Sequence, residues 1–289
     1  MIGVFDSGLG GLTILKEIKK ELPNYDYLYY GDTLHVPYGN RSDQAVYQLT
    51  KNACDYLFSR GCKLIILACN TASARALRRL QQEYLPERQA KQSGKARRVA
   101  NNLLHSTRSR NTENILGVIR PLAEFIAAEK HELVGVIGTR GTINSGAYKN
   151  EVGKLNEKIK IEQVACPLLV PLIEENWINH KETKSILRYY LRSLKLKQVE
   201  TLILGCTHYP ILMKQIRGVM GRRCLVPNPG EIVARSLKDY LTRHPEMETG
   251  LEQNGKLEFV VTDLNENFKQ VAQRFWGESI DVALAEIKN

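Results

Sequence analysis

Residues 64–73 read Leu-Ile-Ile-Leu-Ala-Cys-Asn-Thr-Ala-Ser, an apolar run that ends at Cys69 and continues into small polar residues. A short aliphatic run of this kind, followed by a helix-starting sequence, is typical of a strand buried on both faces of a parallel sheet. Residues 201–210 repeat the pattern as Thr-Leu-Ile-Leu-Gly-Cys-Thr-His-Tyr-Pro, with Cys206 at the corresponding point. The two segments predict an α/β protein in which both cysteines lie at the carboxyl ends of strands.

Further short apolar runs alternate with helical periodicity along the chain. Between residues 12 and 22, for example, leucines and isoleucines recur at three- and four-residue steps. The predicted strands are Ile2–Phe5, Tyr27–Tyr30, Leu64–Ala68, Ile115–Ile119, Leu133–Ile137, Ile159–Val164, Thr201–Leu204, Cys224–Val226 and Leu257–Val261. The alternation predicts two similar α/β lobes with mainly parallel sheets and an active site in the cleft between them.

Two segments indicate where the chain divides. Residues 87–113 carry seven Lys or Arg against two Glu and read as a solvated basic insertion with one short helix near Ala96–Leu104. Residues 227–230, Pro-Asn-Pro-Gly, predict a tight turn or crossover. We therefore expect a first lobe of residues 1–113 with 230–289, and a second lobe of residues 114–229.

Composition excludes several classes of protein. The chain has 289 residues, 43% hydrophobic and 25% charged, which excludes collagen-like, low-complexity and wholly disordered proteins. No apolar run reaches the ~18 residues of a membrane span, and the N-terminus lacks the basic region of a signal peptide, so we expect a cytoplasmic protein. The net charge of +10 favours anions. The basic residues of 88–110 leave nucleic-acid binding open, but we do not expect it because no aromatic residue is interleaved among them.

The six cysteines form no C-x-x-C pair, which argues against zinc ribbons and thioredoxin-type sites. Cys69 and Cys206 differ from the others because each precedes a predicted helix N-terminus, where the dipole and free N–H groups favour a thiolate. The remaining four are interpreted as packing residues: Cys54, Cys62, Cys166 and Cys224.

Three loops add polar groups near strand ends. Asp6 and Ser7 open the glycine-rich run that follows the first strand; this run lacks the full G-x-G-x-x-G spacing of a dinucleotide site. The loop around Tyr38 is bracketed by Pro and Gly, so its N–H groups are available to an anion. The loop of residues 138–142 offers hydroxyl groups that bind a carboxylate or cap a helix.

Two thiols facing each other across such a cleft suit inversion at a carbon centre. One thiolate removes a proton from one face, and the other thiol returns a proton to the opposite face. The α-carbanion formed in between needs preorganised donors on its carboxylate. We expect Asp6 to act towards Cys69, and His208 to act towards Cys206 or to cap backbone.

At these residues the sequence resembles the glutamate racemase family, of the cofactor-independent aspartate/glutamate racemase superfamily. The matching stretches span most of the chain: residues 5–11, 31–32 with 37–39, 68–73, 138–139 with 142, 170–174 and 205–210. The resemblance implies a catalytic group and a substrate-binding group. The catalytic group is Cys69, Cys206, Asp6, His208 and Glu174, and the substrate-binding group is Asp6, Ser7, Tyr38, Gly39, Asn70, Thr71, Thr139, Thr142, Thr207 and His208.

The resemblance also implies interconversion of L- and D-glutamate without a cofactor or metal, a homodimer, and a supply of D-glutamate for peptidoglycan. In the family's usual assignment the first cysteine deprotonates the D-enantiomer and the second the L-enantiomer. Two alternatives stay open. One is an aspartate or broader amino-acid racemase, and the other is a non-catalytic protein whose basic insertion binds nucleic acid or another protein.

Overall fold

The computed structural model describes residues 1–100, 113–264 and 268–285. The chain forms an α/β fold in which strands alternate with helices, as the sequence predicts. The strands are β1 Ile2–Asp6, β2 Tyr27–Gly31, β3 Leu64–Leu67, β4 Asn114–Gly117, β5 Leu133–Gly138, β6 Lys160–Ala165, β7 Thr201–Gly205, β8 Leu257–Val261 and β9 Ala283–Leu284. The helices are α1 Leu12–Glu21, α2 Asp43–Ser59, α3 Asn70–Arg75, α4 Leu77–Arg79, α5 Leu85–Ala100, α6 Ile119–Ala128, α7 Arg140–Asn144, α8 Ala147–Leu155, α9 Leu169–Glu174, α10 Lys181–Leu196, α11 Met213–Met220, α12 Pro229–Arg243, α13 Pro245–Glu248 and α14 Phe268–Trp276.

The strands form two parallel sheets. In the described residues the larger sheet has six strands in the order β4-β3-β1-β2-β8-β9, and the smaller has three in the order β6-β5-β7. Every strand pair in them is parallel, which confirms the predicted α/β class. The sheets differ in size, so the expectation of two similar lobes holds for their architecture and not for their extent.

Two strand predictions need correction. The strand predicted at 115–119 spans Asn114–Gly117 and pairs with β3 in the larger sheet, although we expected residues 114–229 to form the second lobe. The strand predicted at 224–226 does not form. Leu225 makes only an isolated parallel bridge to Thr201. Pro227, which has no N–H to donate, follows two residues later and prevents the ladder from continuing.

The predicted turn at 227–230 leads into α12. The Asn228 side chain caps this helix by accepting a hydrogen bond from Gly230 N at 3.0 Å, and Pro229 occupies the first helical turn. The buried face of α12 joins a core cluster that also holds Ile66 of the larger sheet and Leu202 of the smaller. Because β4 belongs to the larger sheet, the predicted boundary at 113/114 separates this strand from its own sheet, whereas the boundary at 229/230 remains a prediction.

The basic insertion is described only in part. Its beginning lies in α5, which runs to Ala100 and includes half of the predicted helix near Ala96–Leu104. The rest of that predicted helix falls among residues 101–112, outside the described residues. In the described part of the chain, no helix combines the length and apolar character needed to cross a membrane.

Candidate active site

The carboxyl ends of four strands, two from each sheet, bring the predicted residues together. In the larger sheet, β1 pairs with β3 so that Phe5 is opposite Leu67, which places Asp6 and Cys69 at the same edge. In the smaller sheet, β5 pairs with β7 so that Gly138 is opposite Gly205, immediately before Thr139 and Cys206. Each sheet therefore contributes one cysteine at the edge where α/β folds bind ligands.

Cys69 is buried and lies directly before α3, as predicted. The Ser7 hydroxyl is 3.3 Å from its sulfur, and the Ala72 main-chain N–H also donates to it. Burial raises the pKa of the Cys69 thiol to about 12; the negative charge of Asp6 adds to the increase, and the two hydrogen bonds oppose it. Cys69 is therefore a neutral thiol at neutral pH.

Cys206 has different surroundings. Residues 207 and 208 separate it from a short 3₁₀ turn, Tyr209–Leu212, so the predicted helix N-terminus directly after this cysteine is wrong. The sulfur instead lies 3.9 Å from Nδ1 of His208, whose Nε2 is 3.0 Å from Oε1 of Glu174.

His208 is 4% exposed and carries a strongly perturbed pKa. Burial lowers the pKa of the imidazole, but hydrogen bonds and charge interactions with Cys206 and Glu174 outweigh it and raise the pKa to about 10. The ring is therefore protonated at neutral pH. Phe275 covers one side of it, with ring centroids 5.2 Å apart in an edge-on arrangement.

Asp6 lies between the two cysteine loops but makes no hydrogen bond to Cys69 within the described residues. Its carboxylate accepts from Gly8 N at 3.0 Å and from the Thr207 hydroxyl at 3.2 Å. Burial raises the pKa of Asp6, while the charge of His208 and these hydrogen bonds act in the opposite direction. Asp6 therefore ties β1 to the Cys206 loop.

The adjacent glycines allow this close approach. A Cβ atom on Gly10 would lie 2.4 Å from both His208 Nδ1 and Thr207 Oγ1. A Cβ atom on Gly11 would lie 2.5 Å from the Cβ of Asp6. The glycine run is thus the surface against which the His208 loop packs.

Three threonine hydroxyls connect the two sheets. Thr71 Oγ1 lies 3.0 Å from Thr139 Oγ1 and 3.4 Å from Thr142 Oγ1. Thr139 also caps α7 by accepting from Thr142 N at 3.1 Å. Arg75 reinforces the junction, since its guanidinium donates to the Gly141 and Arg41 carbonyls at 3.1 and 2.5 Å.

Several contributing residues were not predicted. Asp32, 3% exposed, accepts from the Tyr38 hydroxyl at 2.5 Å and holds the loop that carries Gly39. The buried Tyr148 donates to Asn70 Oδ1 at 2.7 Å and fixes that amide. Asp32 lies in a quoted motif, but nothing in the sequence around Tyr148, Arg75 or Phe275 indicates these contacts, because they join residues far apart in the chain.

Both cysteines line one small cavity of about 30 Å³. Most of the predicted substrate-binding residues line it too: Ser7, Tyr38, Gly39, Asn70, Thr71, Thr139, Thr207 and His208, together with Val36, Pro37 and Val170. Three predicted residues do not line the cavity but form hydrogen bonds with residues that do; they are Asp6, Thr142 and Glu174. A larger cavity of about 970 Å³ between α4, α6, α8 and α12 contains neither cysteine, so its size does not make it the candidate site.

Comparisons with known proteins agree with this arrangement. The Asp/Glu/Hydantoin racemase family profile matches residues 107–234. A glutamate racemase from Geobacter metallireducens is 38% identical over 278 residues, covering 96% of this chain and 92% of that protein. One from Aquifex aeolicus is 36% identical over 282 residues, covering 97% and 95%.

Solved structures show the same similarity. The crystal structure of glutamate racemase from Francisella tularensis in complex with D-glutamate matches with a TM-score of 0.81 and 29% identity, covering 99% of this chain and 97% of that one. A glutamate racemase from Bacillus anthracis matches with a TM-score of 0.82 and 30% identity over the same shares. The protein is therefore an enzyme, an amino-acid racemase, and the chain belongs to the glutamate racemase family.

Proposed function

We propose that the protein interconverts L- and D-glutamate by proton transfer between the substrate α-carbon and two cysteines, Cys69 and Cys206, without a cofactor. The observation that carries the proposal is that both thiols, one from each sheet, line the same cavity. The names of the similar proteins support glutamate as the substrate, as does the D-glutamate complex of the Francisella enzyme.

The two cysteines have different roles in each direction of the reaction. In the direction from L- to D-glutamate, Cys206, beside His208, is the base that takes the α-proton. The α-C–H bond breaks and an S–H bond forms on Cys206; the S–H bond of Cys69 then breaks as its proton adds to the other face. Once D-glutamate has formed, Cys69 is a thiolate and Cys206 is a thiol. The reverse reaction therefore uses the two cysteines in exchanged roles.

The carbanion between the two transfers is the high-energy species. Donors on the cavity lining are suited to its carboxylate, namely the hydroxyls of Ser7 and Thr71. Such donors act strongly here because the residues that carry them are buried. Asp6 and Glu174 act through Thr207 and His208, so we assign them as positioning residues.

The cavity is about 30 Å³, room for one water and less than a glutamate molecule requires. Substrate binding therefore has to move the loops that follow the strands of one sheet away from those that follow the strands of the other. The hydroxyl contacts between Thr71 and Thr139 are the ones that must loosen.

The proposal is tested by incubating the protein with L-glutamate, and separately with D-glutamate, and following optical activity. We expect the circular dichroism of either enantiomer to decay to zero without any added cofactor. L-aspartate serves as the matched control, because it differs by one methylene. An unchanged glutamate signal, or faster decay with aspartate, would contradict the assignment.

We also propose that the enzyme acts as a homodimer in the cytoplasm and supplies D-glutamate for peptidoglycan. The homodimer and the supply of D-glutamate rest on the family resemblance. Light scattering tests the dimer, and dependence of a depleted cell on external D-glutamate tests the role in the cell wall.

A further inference from the structure

The positive charge of the chain is concentrated on the elements that flank the smaller sheet. Residues 183–229 contain nine Lys or Arg and one acidic residue, a balance of +8 against +10 for the whole chain. That acidic residue, Glu200, faces main-chain N–H groups of residues 132 and 133 at 3.0 and 3.2 Å. The basic insertion at 87–113 carries the smaller net charge of the two, +5, over a shorter stretch.

Four of these cations form a row along one groove, which lies between α10 and α11. They are Lys184, Arg188, Arg192 and Lys195, and all four are exposed. Their spacing places them on one face of α10 over about 16 Å. The groove has a volume of about 830 Å³, and the rest of its lining is uncharged: Leu196, Gln198, Gln215, Gly218 and Val219.

No acidic side chain balances this row. Among the salt bridges of the described residues, none involves these four cations, and Lys195 instead donates to the Val219 carbonyl at 2.6 Å. Lys184 and Arg188, and likewise Arg188 and Arg192, are like charges four residues apart on a helix, an arrangement that destabilises it. A bound polyanion would remove that repulsion.

An exposed aromatic ring lies beside the row. Tyr189 is 78% exposed and follows Arg188 directly in the chain. Its ring is held edge-on against Tyr190 with centroids 5.7 Å apart. A basic groove with an exposed aromatic side chain is the combination that binds single-stranded nucleic acid, since the cations follow the phosphates and bases stack on the ring.

We propose that the α10–α11 groove binds a single strand of nucleic acid, with the four cations on successive phosphates and Tyr189 as a stacking surface. The concave shape suits a chain better than a flat bilayer. None of the groove residues lines the cavity that holds Cys69 and Cys206, so this binding is separable from racemisation and does not rest on the proposed function.

The test measures fluorescence anisotropy of a labelled oligothymidylate of about twelve nucleotides, within the site sizes of such proteins. The variant Arg188→Glu/Arg192→Glu is compared with Lys63→Glu/Lys130→Glu, an equal change of net charge at exposed lysines away from the groove. We expect the groove variant to bind at least about tenfold more weakly, and its plot of log affinity against log salt to be flatter by about 1.4, or 0.7 for each lost phosphate contact. We expect the control to bind within about twofold of the parent.

Racemisation at the parent rate shows that each variant is folded. Equal weakening in both variants would overturn the proposal, because the binding would then depend on net charge alone. No binding by the parent protein at low salt would also overturn it. So would binding to phosphatidylglycerol vesicles through Arg188 and Arg192 without binding to the oligothymidylate.

Discussion

Glu174 Oε1 lies 3.0 Å from Nε2 of His208, so the carboxylate and the Cys206 sulfur contact opposite nitrogens of one buried imidazole. The pKa of His208 rises to about 10, above its usual 6.5. A raised folded-state pKa stabilises the fold fully below pH 6.5, and this contribution is lost as the pH rises through about 10. His208 thus couples a charged carboxylate outside the cavity to a thiol within it.

Glu174→Gln is expected to lower kcat/KM by about ten- to a hundredfold, because a charge-assisted hydrogen bond to the buried ring is replaced by a neutral one. The loss should be equal for the two enantiomers, since the equilibrium constant of a racemisation is one. The pKa of His208 should also fall below about 10, which moves the basic limb of the kcat/KM–pH profile to lower pH. A pH profile in both directions checks these outcomes.

Glu175→Gln is the matched control, because Glu175 is exposed and adjacent. It should leave both the rate and the profile unchanged. A profile that does not move in Glu174→Gln, despite a lower rate, would show that Glu174 acts only on the fold.

Asp6→Asn should raise the thermal stability at neutral pH while it reduces activity. Burial raises the pKa of Asp6, so the ionised carboxylate costs folding free energy at pH values above the unfolded pKa of 3.8, and the amide removes that cost. The amide can still accept from Gly8 N and donate to Thr207. The gain should disappear as the pH falls towards 3.8, where the parent carboxyl is protonated.

Asp26→Asn should change the stability in the opposite direction. Burial raises the pKa of Asp26, but hydrogen bonds from Asn254 and Lys256 outweigh burial and lower it. Its substitution should therefore destabilise the protein above pH 3.8 and have less effect below. Thermal unfolding of both variants between about pH 3 and pH 7 tests the two predictions. Destabilisation by Asp6→Asn at pH 7 would contradict the claim that burial of the Asp6 carboxylate costs folding free energy.

Gly10→Ala should reduce kcat/KM by about a hundredfold or more and destabilise the fold by about 1–3 kcal/mol, as overpacking does. The added methyl would lie 2.4 Å from His208 Nδ1, so the loop that carries Cys206 must move. Kinetics and thermal unfolding measure the two effects.

Gly153→Ala in α8 is the comparison, because a Cβ there meets nothing within 4 Å. It should be neutral in activity and stabilising by up to about 1 kcal/mol through helix propensity. Similar activities for the two alanine variants would refute the close packing assigned to Gly10.

The fold was predictable to a large extent because buried parallel strands leave a local signal. Leu64–Leu67 is a continuous aliphatic run, as are residues 202–204, and both runs form strands: β3 lies inside the larger sheet and β7 at an edge of the smaller one. The strand prediction that failed was misled by residues near the predicted strand. Residues 224–226 resemble a strand in composition, but the following proline and the edge position limit them to one bridge.

The candidate site was predictable where chemistry and local context coincide, as at Cys69, Ser7 and His208. The contacts that hold these groups depend on tertiary structure. Tyr148 reaches Asn70 across 78 residues of sequence, and Thr207 reaches Asp6 across 201. The different environments of the two cysteines were also hidden, because the two segments look alike until Pro210 and His208 are placed in space.

The most direct measurement follows deuterium at the α-carbon during the first turnovers of L-glutamate in deuterated water. With Cys206 removing the proton and Cys69 delivering from the other face, the D-glutamate formed should carry deuterium while the remaining L-glutamate stays unlabelled. If the D-glutamate keeps the original proton, or if deuterium enters L-glutamate as fast as it enters D-glutamate, a single base carries out both steps and the two-cysteine mechanism is wrong.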